Sequence, residues 1–110
     1  MTIIDLSSKS IVWYDNNHRC AWESSKSTIL FVHAKWCGYC KQAMPEFIAA
    51  SNLSSKVHFA TMEDVIMKDM ETPLPVNGFP TFFMIDGTGK LTKINFPRDK
   101  DAMIAYINSM

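Results

Sequence analysis

The sequence predicts an α/β domain, a mixed β-sheet flanked by helices, and three observations carry that prediction. Thr28-Ile29-Leu30-Phe31-Val32-His33-Ala34 has an unbroken apolar centre, the mark of a strand covered on both faces. Thr81-Phe82-Phe83-Met84-Ile85 is a second such run. Between and after them apolar residues recur at helical spacing, most regularly at Met103, Tyr106, Ile107 and Met110. At 110 residues, with 47% apolar and 20% charged, the chain is the size of one domain, taken here as 1–110.

The elements follow in order. Ser10-Ile11-Val12-Trp13-Tyr14 is short, β-branched and aromatic, and reads as a strand. Asp15-Asn16-Asn17 then either turns the chain or caps a helix through Cys20-Ala21-Trp22-Glu23, and the helix is the expectation. After the strand at 28–34, Met44, Phe47 and Ile48 mark one face of a helix that starts at Cys37 and fades near Asn52, with Pro45 expected to kink it. Lys56 to Thr61 alternates like a strand. Met62 to Met70 is weakly helical and is ended by Thr72-Pro73-Leu74-Pro75. Asp86-Gly87-Thr88-Gly89 supplies the turn of a hairpin between Thr81–Ile85 and Leu91–Phe96, and Asp99 caps the last helix. The expected order is β-α-β-α-β-α-β-β-α, without repeats or linkers.

Lys plus Arg equal Asp plus Glu at 11 each, so no net field draws the chain to nucleic acid or an anionic membrane. The first residues lack the basic flank and apolar stretch of a secretory signal, and no segment reaches the length of a membrane span. A cytoplasmic, monomeric protein is the expectation, although a mature secreted chain would read the same way. Three cysteines, an odd number, argue against a disulfide-stapled scaffold.

The chemistry concentrates in Ala34-Lys35-Trp36-Cys37-Gly38-Tyr39-Cys40-Lys41. Strand, turn and helix start place the Cys37 sulfur beside free backbone N–H groups and the positive end of a helix dipole, which favour thiolate over thiol. An accessible thiolate captures a substrate sulfur, and a second, deeper thiol displaces it, so Cys37 and Cys40 read as nucleophile and resolving thiol of a dithiol–disulfide reaction that needs no cofactor. Gly38 is expected to permit the tight turn. The alternative, a zinc half-site, would need further ligands from Cys20, His18, His33 and His58, none at finger-like spacing. Cys20 reads as an inert packed thiol, and Met62, Met67 and Met70 as packing residues, not copper ligands.

Trp-Cys-x-x-Cys-Lys after the second strand, Pro45 five residues beyond Cys40, and Gly78-Phe79-Pro80-Thr81 opening the fourth strand together resemble the thioredoxin-like superfamily, thioredoxins and the catalytic domains of protein disulfide isomerases, over about residues 10–109. The resemblance implies a thioredoxin fold, a cis Phe79–Pro80 peptide bond beside the cysteines, and a thiol–disulfide oxidoreductase acting on protein disulfides with a separate reductase or oxidase as electron partner. It implies a substrate-binding surface at Trp36, Gly38, Tyr39, Phe79 and Pro80. Reduction or exchange of disulfides is the expected direction, with an oxidase or isomerase, or a binding module with an incidental dithiol, as alternatives.

The chain also departs from those families. Phe31 stands where they usually carry a buried acid that handles the second cysteine's proton, their third-strand Lys is replaced around Ala60, and Pro97 stands near a common glycine. Gly38-Tyr39 is the pair found in bacterial periplasmic disulfide isomerases; without a cationic His between the cysteines, moderate oxidising power is expected. His33, four residues before Cys37, either packs with its ring hydrogen-bonded or serves as the candidate proton acceptor in place of the acid.

Overall fold

The computed structural model describes residues 3–14, 17–20, 26–70 and 72–110, with the backbone alone at 12–14 and 17–20. Its elements are β1 (Ile4–Asp5), β2 (Ile11–Tyr14), β3 (Asn17–Cys20), β4 (Thr28–His33), α1 (Gly38–Leu53), β5 (His58–Glu63), α2 (Asp64–Lys68), β6 (Thr81–Ile85), β7 (Leu91–Ile94) and α3 (Lys100–Asn108). Five of the strands form one sheet in the order β1-β5-β4-β6-β7. β1 and β4 run parallel to β5, while β6 is antiparallel to β4 and β7 to β6.

β4 takes the centre because Thr28 through Val32 are all buried, as its apolar run requires. Alternation along the strand then divides the core into two layers. Ile29 and Phe31 face α1 and α3, where they meet Ala43, Phe47, Ala50, Met103 and Ile107. Leu30 and Val32 face the other side, with Met62, Met67, Met70 and Leu74, so the three methionines read as packing residues do fill a core. The hairpin turn forms as expected: Asp86 Oδ1 accepts from the Thr88 and Lys90 amides at 2.9 and 3.1 Å, and Gly89 takes φ 90°.

Four expectations change. The helix expected through Cys20 is a strand over Asn17–Cys20, paired antiparallel with Ile11–Tyr14 in a separate two-stranded sheet, so the β-branched and aromatic segment imposes pairing on its neighbour. Ala21, Trp22 and Glu23 lie outside the described residues. The outer strand beside β5 is instead Ile4–Asp5, two exposed residues with no hydrophobic pattern to announce them. In α1 the buried face runs through Cys40, Ala43, Phe47, Ala50 and Ser51, leaving Ile48 45% exposed, and the helix continues through Pro45 to Leu53. Finally, Thr61, not Ala60, is paired with Phe31 on the α1 side of the sheet; Ala60 packs in the opposite layer.

Candidate active site

β4 ends at His33, and the chain turns through Ala34 and Trp36 to place Cys37 as N-cap of α1, at φ −89° and ψ 113°. The Cys37 amide donates to the Ala34 carbonyl at 3.1 Å, closing the turn. Cys37 Sγ accepts the Cys40 amide at 3.2 Å, so a sulfur does what a Ser or Asp oxygen does at other helix starts. The same sulfur lies 3.5 Å from the Phe79 carbonyl oxygen. The Phe79–Pro80 bond is cis, as the resemblance implies, and the carbonyl contact sets this loop against the cysteine.

Cys37 is only 6% exposed, against the expectation of an open thiol, because its sulfur is turned inward to these two backbone partners. Gly38 opens α1, and a Cβ there would meet nothing within 4 Å. The turn therefore does not need glycine, and the space above Gly38 is open. Trp36, 69% exposed, and Tyr39, 64% exposed, bracket Cys37 and Gly38 along the chain. The Trp36 ring stands edge-on to Phe79 at 5.5 Å, and its Nε1–H donates to Asp64 Oδ2 at 3.3 Å. The Arg98 guanidinium lies 5.3 Å over the Tyr39 ring.

Cys40 sits one turn deeper, 3% exposed. Burial first, and then its hydrogen bond with Cys37, push its thiol up to about 12, only partly countered by the Ala34 backbone and Arg98. His33 lines the same pocket as Cys40, with Ala34, Lys35, Lys41 and Met44. Burial lowers its pKa below the usual histidine value, against the charges of Glu63, Asp5 and Asp64, so the ring is neutral at neutral pH. Phe31 fills the acid's place completely, stacked on Phe82 at 4.8 Å and edge-on to His33 at 5.5 Å.

The sequence-predicted residues Trp36, Cys37, Gly38, Tyr39, Cys40, Phe79 and Pro80 thus converge, with His33 behind Cys40. Sequence reasoning missed Asp64, Arg98 and Asp5. A buried acid that begins a helix directly after a strand is the one signal that could have drawn attention to Asp64. Arg98, between a proline and a helix cap, gave none.

The chain matches the thioredoxin family model over residues 10–109. The chain belongs to the thioredoxin family. Among curated proteins this thioredoxin-family chain is 32% identical over 100 residues to a protein disulfide-isomerase of Zea mays, covering 88% of the chain and 19% of the relative. It is 34% identical over 82 residues to protein disulfide isomerase-like 1-1 of Arabidopsis thaliana, covering 68% of the chain and 16% of that protein. The chain thus spans less than a fifth of the length of these two. Among solved structures, thioredoxin f2 of Chlamydomonas reinhardtii superposes with a TM-score of 0.70 at 21% identity, covering 98% of this chain and 95% of that one. The Trx4 domain of ERdj5 does so at 0.71 and 18%, covering 97% and 93%. Both likenesses show the fold. No helix among the described residues is long and apolar enough to cross a membrane.

Proposed function

We propose that the protein is a thiol–disulfide oxidoreductase that exchanges disulfides in protein substrates through Cys37 and Cys40. The observation that carries this reading is the Cys37 sulfur seated at the start of α1, with the Cys40 amide aimed at it and the cis-proline loop against it. The Cys37 thiolate attacks one sulfur of a substrate disulfide; the new S–S bond forms as the substrate's own breaks, and the departing sulfur leaves as a thiolate that takes up a proton. Cys40 then gives its proton to His33 and attacks Cys37 Sγ. The second substrate thiolate is released, and a Cys37–Cys40 disulfide holds the two electrons' worth of oxidation until a partner oxidoreductase removes it. Trp36, Tyr39 and the Phe79–Pro80 edge form the surface for an extended peptide, with the gap above Gly38 admitting its sulfur.

The relatives' name supports exchange and isomerisation as much as net reduction. A reduction potential of about −270 mV would mark a reductase suited to a cytoplasmic setting, and one of about −180 mV an isomerase suited to an oxidising compartment. The deciding experiment replaces Cys40 with Ser. A covalent adduct between Cys37 and a disulfide-bonded protein substrate is expected to accumulate, to dissolve on reduction, and to be absent from Cys37→Ser. Exchange that persists in Cys37→Ser would overturn the reading, and a biological role that survives loss of both cysteines would make the site a binding surface.

A further inference from the structure

Cys40 must lose its proton before it can attack, and it does so from a buried position. The charged and titratable groups around it are Cys37 at the start of α1, Lys41 of α1, Lys35 after β4, Arg98 before α3 and His33 of β4, and His33 in turn feels Asp5 of β1, Glu63 of β5 and Asp64 of α2. Lys35, Lys41 and Arg98 are cations without a lone pair to offer at neutral pH. Asp64 is already engaged by the Trp36 indole and by Lys68 at 3.7 Å. Among the described residues His33 is the one neutral base on the pocket that Cys40 lines.

The surroundings of His33 continue that path toward solvent. Glu63 is paired with His33 in the parallel β4–β5 register, and the two share a face of the sheet. One strand further out, Asp5 is paired with Thr61, whose hydroxyl donates to the Asp5 carboxylate. Asp5, Thr61, Glu63 and His33 line a single groove. Lys35 approaches Glu63 at 3.9 Å, but it is 86% exposed on its side chain and competes weakly.

We propose that Asp5 and Glu63, on the two strands beyond β4, form with His33 a proton outlet for Cys40, in which the imidazole takes the thiol proton and the carboxylates hold the imidazolium until water removes the proton. This rests on the exchange reaction proposed above and assigns the task left open by Phe31 to groups on other strands. The carboxylates act through His33 and are positioning residues. Their effect has a sign: a nearby negative charge favours imidazolium, so removing it leaves His33 neutral down to lower pH.

The test loads Cys37 with 5-thio-2-nitrobenzoate, confirmed by mass spectrometry, and follows release of the coloured thiolate by Cys40 in a stopped-flow instrument between pH 5 and 9. The wild-type rate is expected to fall on the acid side as His33 is protonated. Asp5→Asn and Glu63→Gln should each move that limb to lower pH, the double variant further, with matching shifts in the His33 ring titration by NMR. His33→Gln should abolish the limb and slow release at neutral pH by about 10²-fold or more. A limb that stays in place in both carboxylate variants, or a His33→Gln rate equal to wild type, overturns the outlet. Failure of the exchange reading looks different: Cys40 would release no thiolate from wild type at any pH.

Discussion

Trp36 is mostly exposed, yet two contacts fix its ring: Phe79 in a T-shaped pair and the Asp64 carboxylate at its nitrogen. Asp64 is itself 4% exposed, so the anchor is rigid where the ring is not covered. A fixed aromatic wall loses less freedom when a peptide settles against it. Asp64→Ala should therefore weaken binding of protein substrates by the value of one side-chain hydrogen bond, about 0.5–1.5 kcal/mol, raising KM several-fold with little change in kcat. Asp64→Asn, which keeps an acceptor oxygen, should restore most of it. The check is the hydrogen-exchange rate of the Trp36 indole N–H by NMR beside the steady-state constants; an indole as protected in Asp64→Ala as in wild type would refute the anchoring role. Cys37, Cys40, Trp36 and Pro80 were legible in the sequence because their chemistry is local to short motifs. Asp64, Asp5 and Arg98 were not, because each reaches the site only through strand register or loop closure.

At the scale of elements, what could be read was what carries its own signal. α3 begins where Asp99 predicts: its side chain accepts the Ala102 amide at 3.2 Å, and Glu46 from α1 accepts the Lys100 amide at 3.1 Å. Two of the otherwise unpaired amides of the first turn are thus satisfied by side chains, one of them on the neighbouring helix. Asp99→Ala should cost about 1 kcal/mol and lower Tm by about 4 °C, while Asp99→Asn should be close to neutral, both measurable by thermal unfolding. A loss from Asp99→Asn as large as from Asp99→Ala would mean that charge, not the cap bond, matters. β1 and β3 had no comparable signal. Ile4–Asp5 is a strand because the edge of β5 accepts it, and Asn-His-Arg-Cys is one because β2 pairs with it. The β5 partner of β1 lies outside any local window of sequence, whereas β2 lies next to β3 and the Asp15-Asn16-Asn17 run is open to either a turn or a helix cap.

Across the whole molecule the residue that ties most together is Phe31, fully buried at the centre of the sheet. Its ring meets Phe82 at 4.8 Å and Phe47 at 5.2 Å, and through them Phe59, Phe96 and Tyr106, so one aromatic network joins β4, β5, β6, α1 and α3. Losing such a side chain costs about 3–5 kcal/mol, against a typical total stability of about 5–15 kcal/mol. Phe31→Asp would add a buried acid to that loss. Burial raises such an acid's pKa in the folded state, so its neutral form is tolerated below the unfolded value of about 3.9 and stability declines as pH rises from there through the folded pKa. In urea unfolding, Phe31→Asp should therefore be far weaker than Phe31→Leu at pH 7 and should recover part of the gap at pH 4. The same carboxylate, placed on the face that holds His33, should speed proton loss from Cys40, so turnover per folded molecule rises as the folded fraction falls. A Phe31→Leu protein as stable as wild type would show that the network is not what holds the two helices to the sheet, and a Phe31→Asp protein as stable at neutral pH as Phe31→Leu would show that the acid is not buried there.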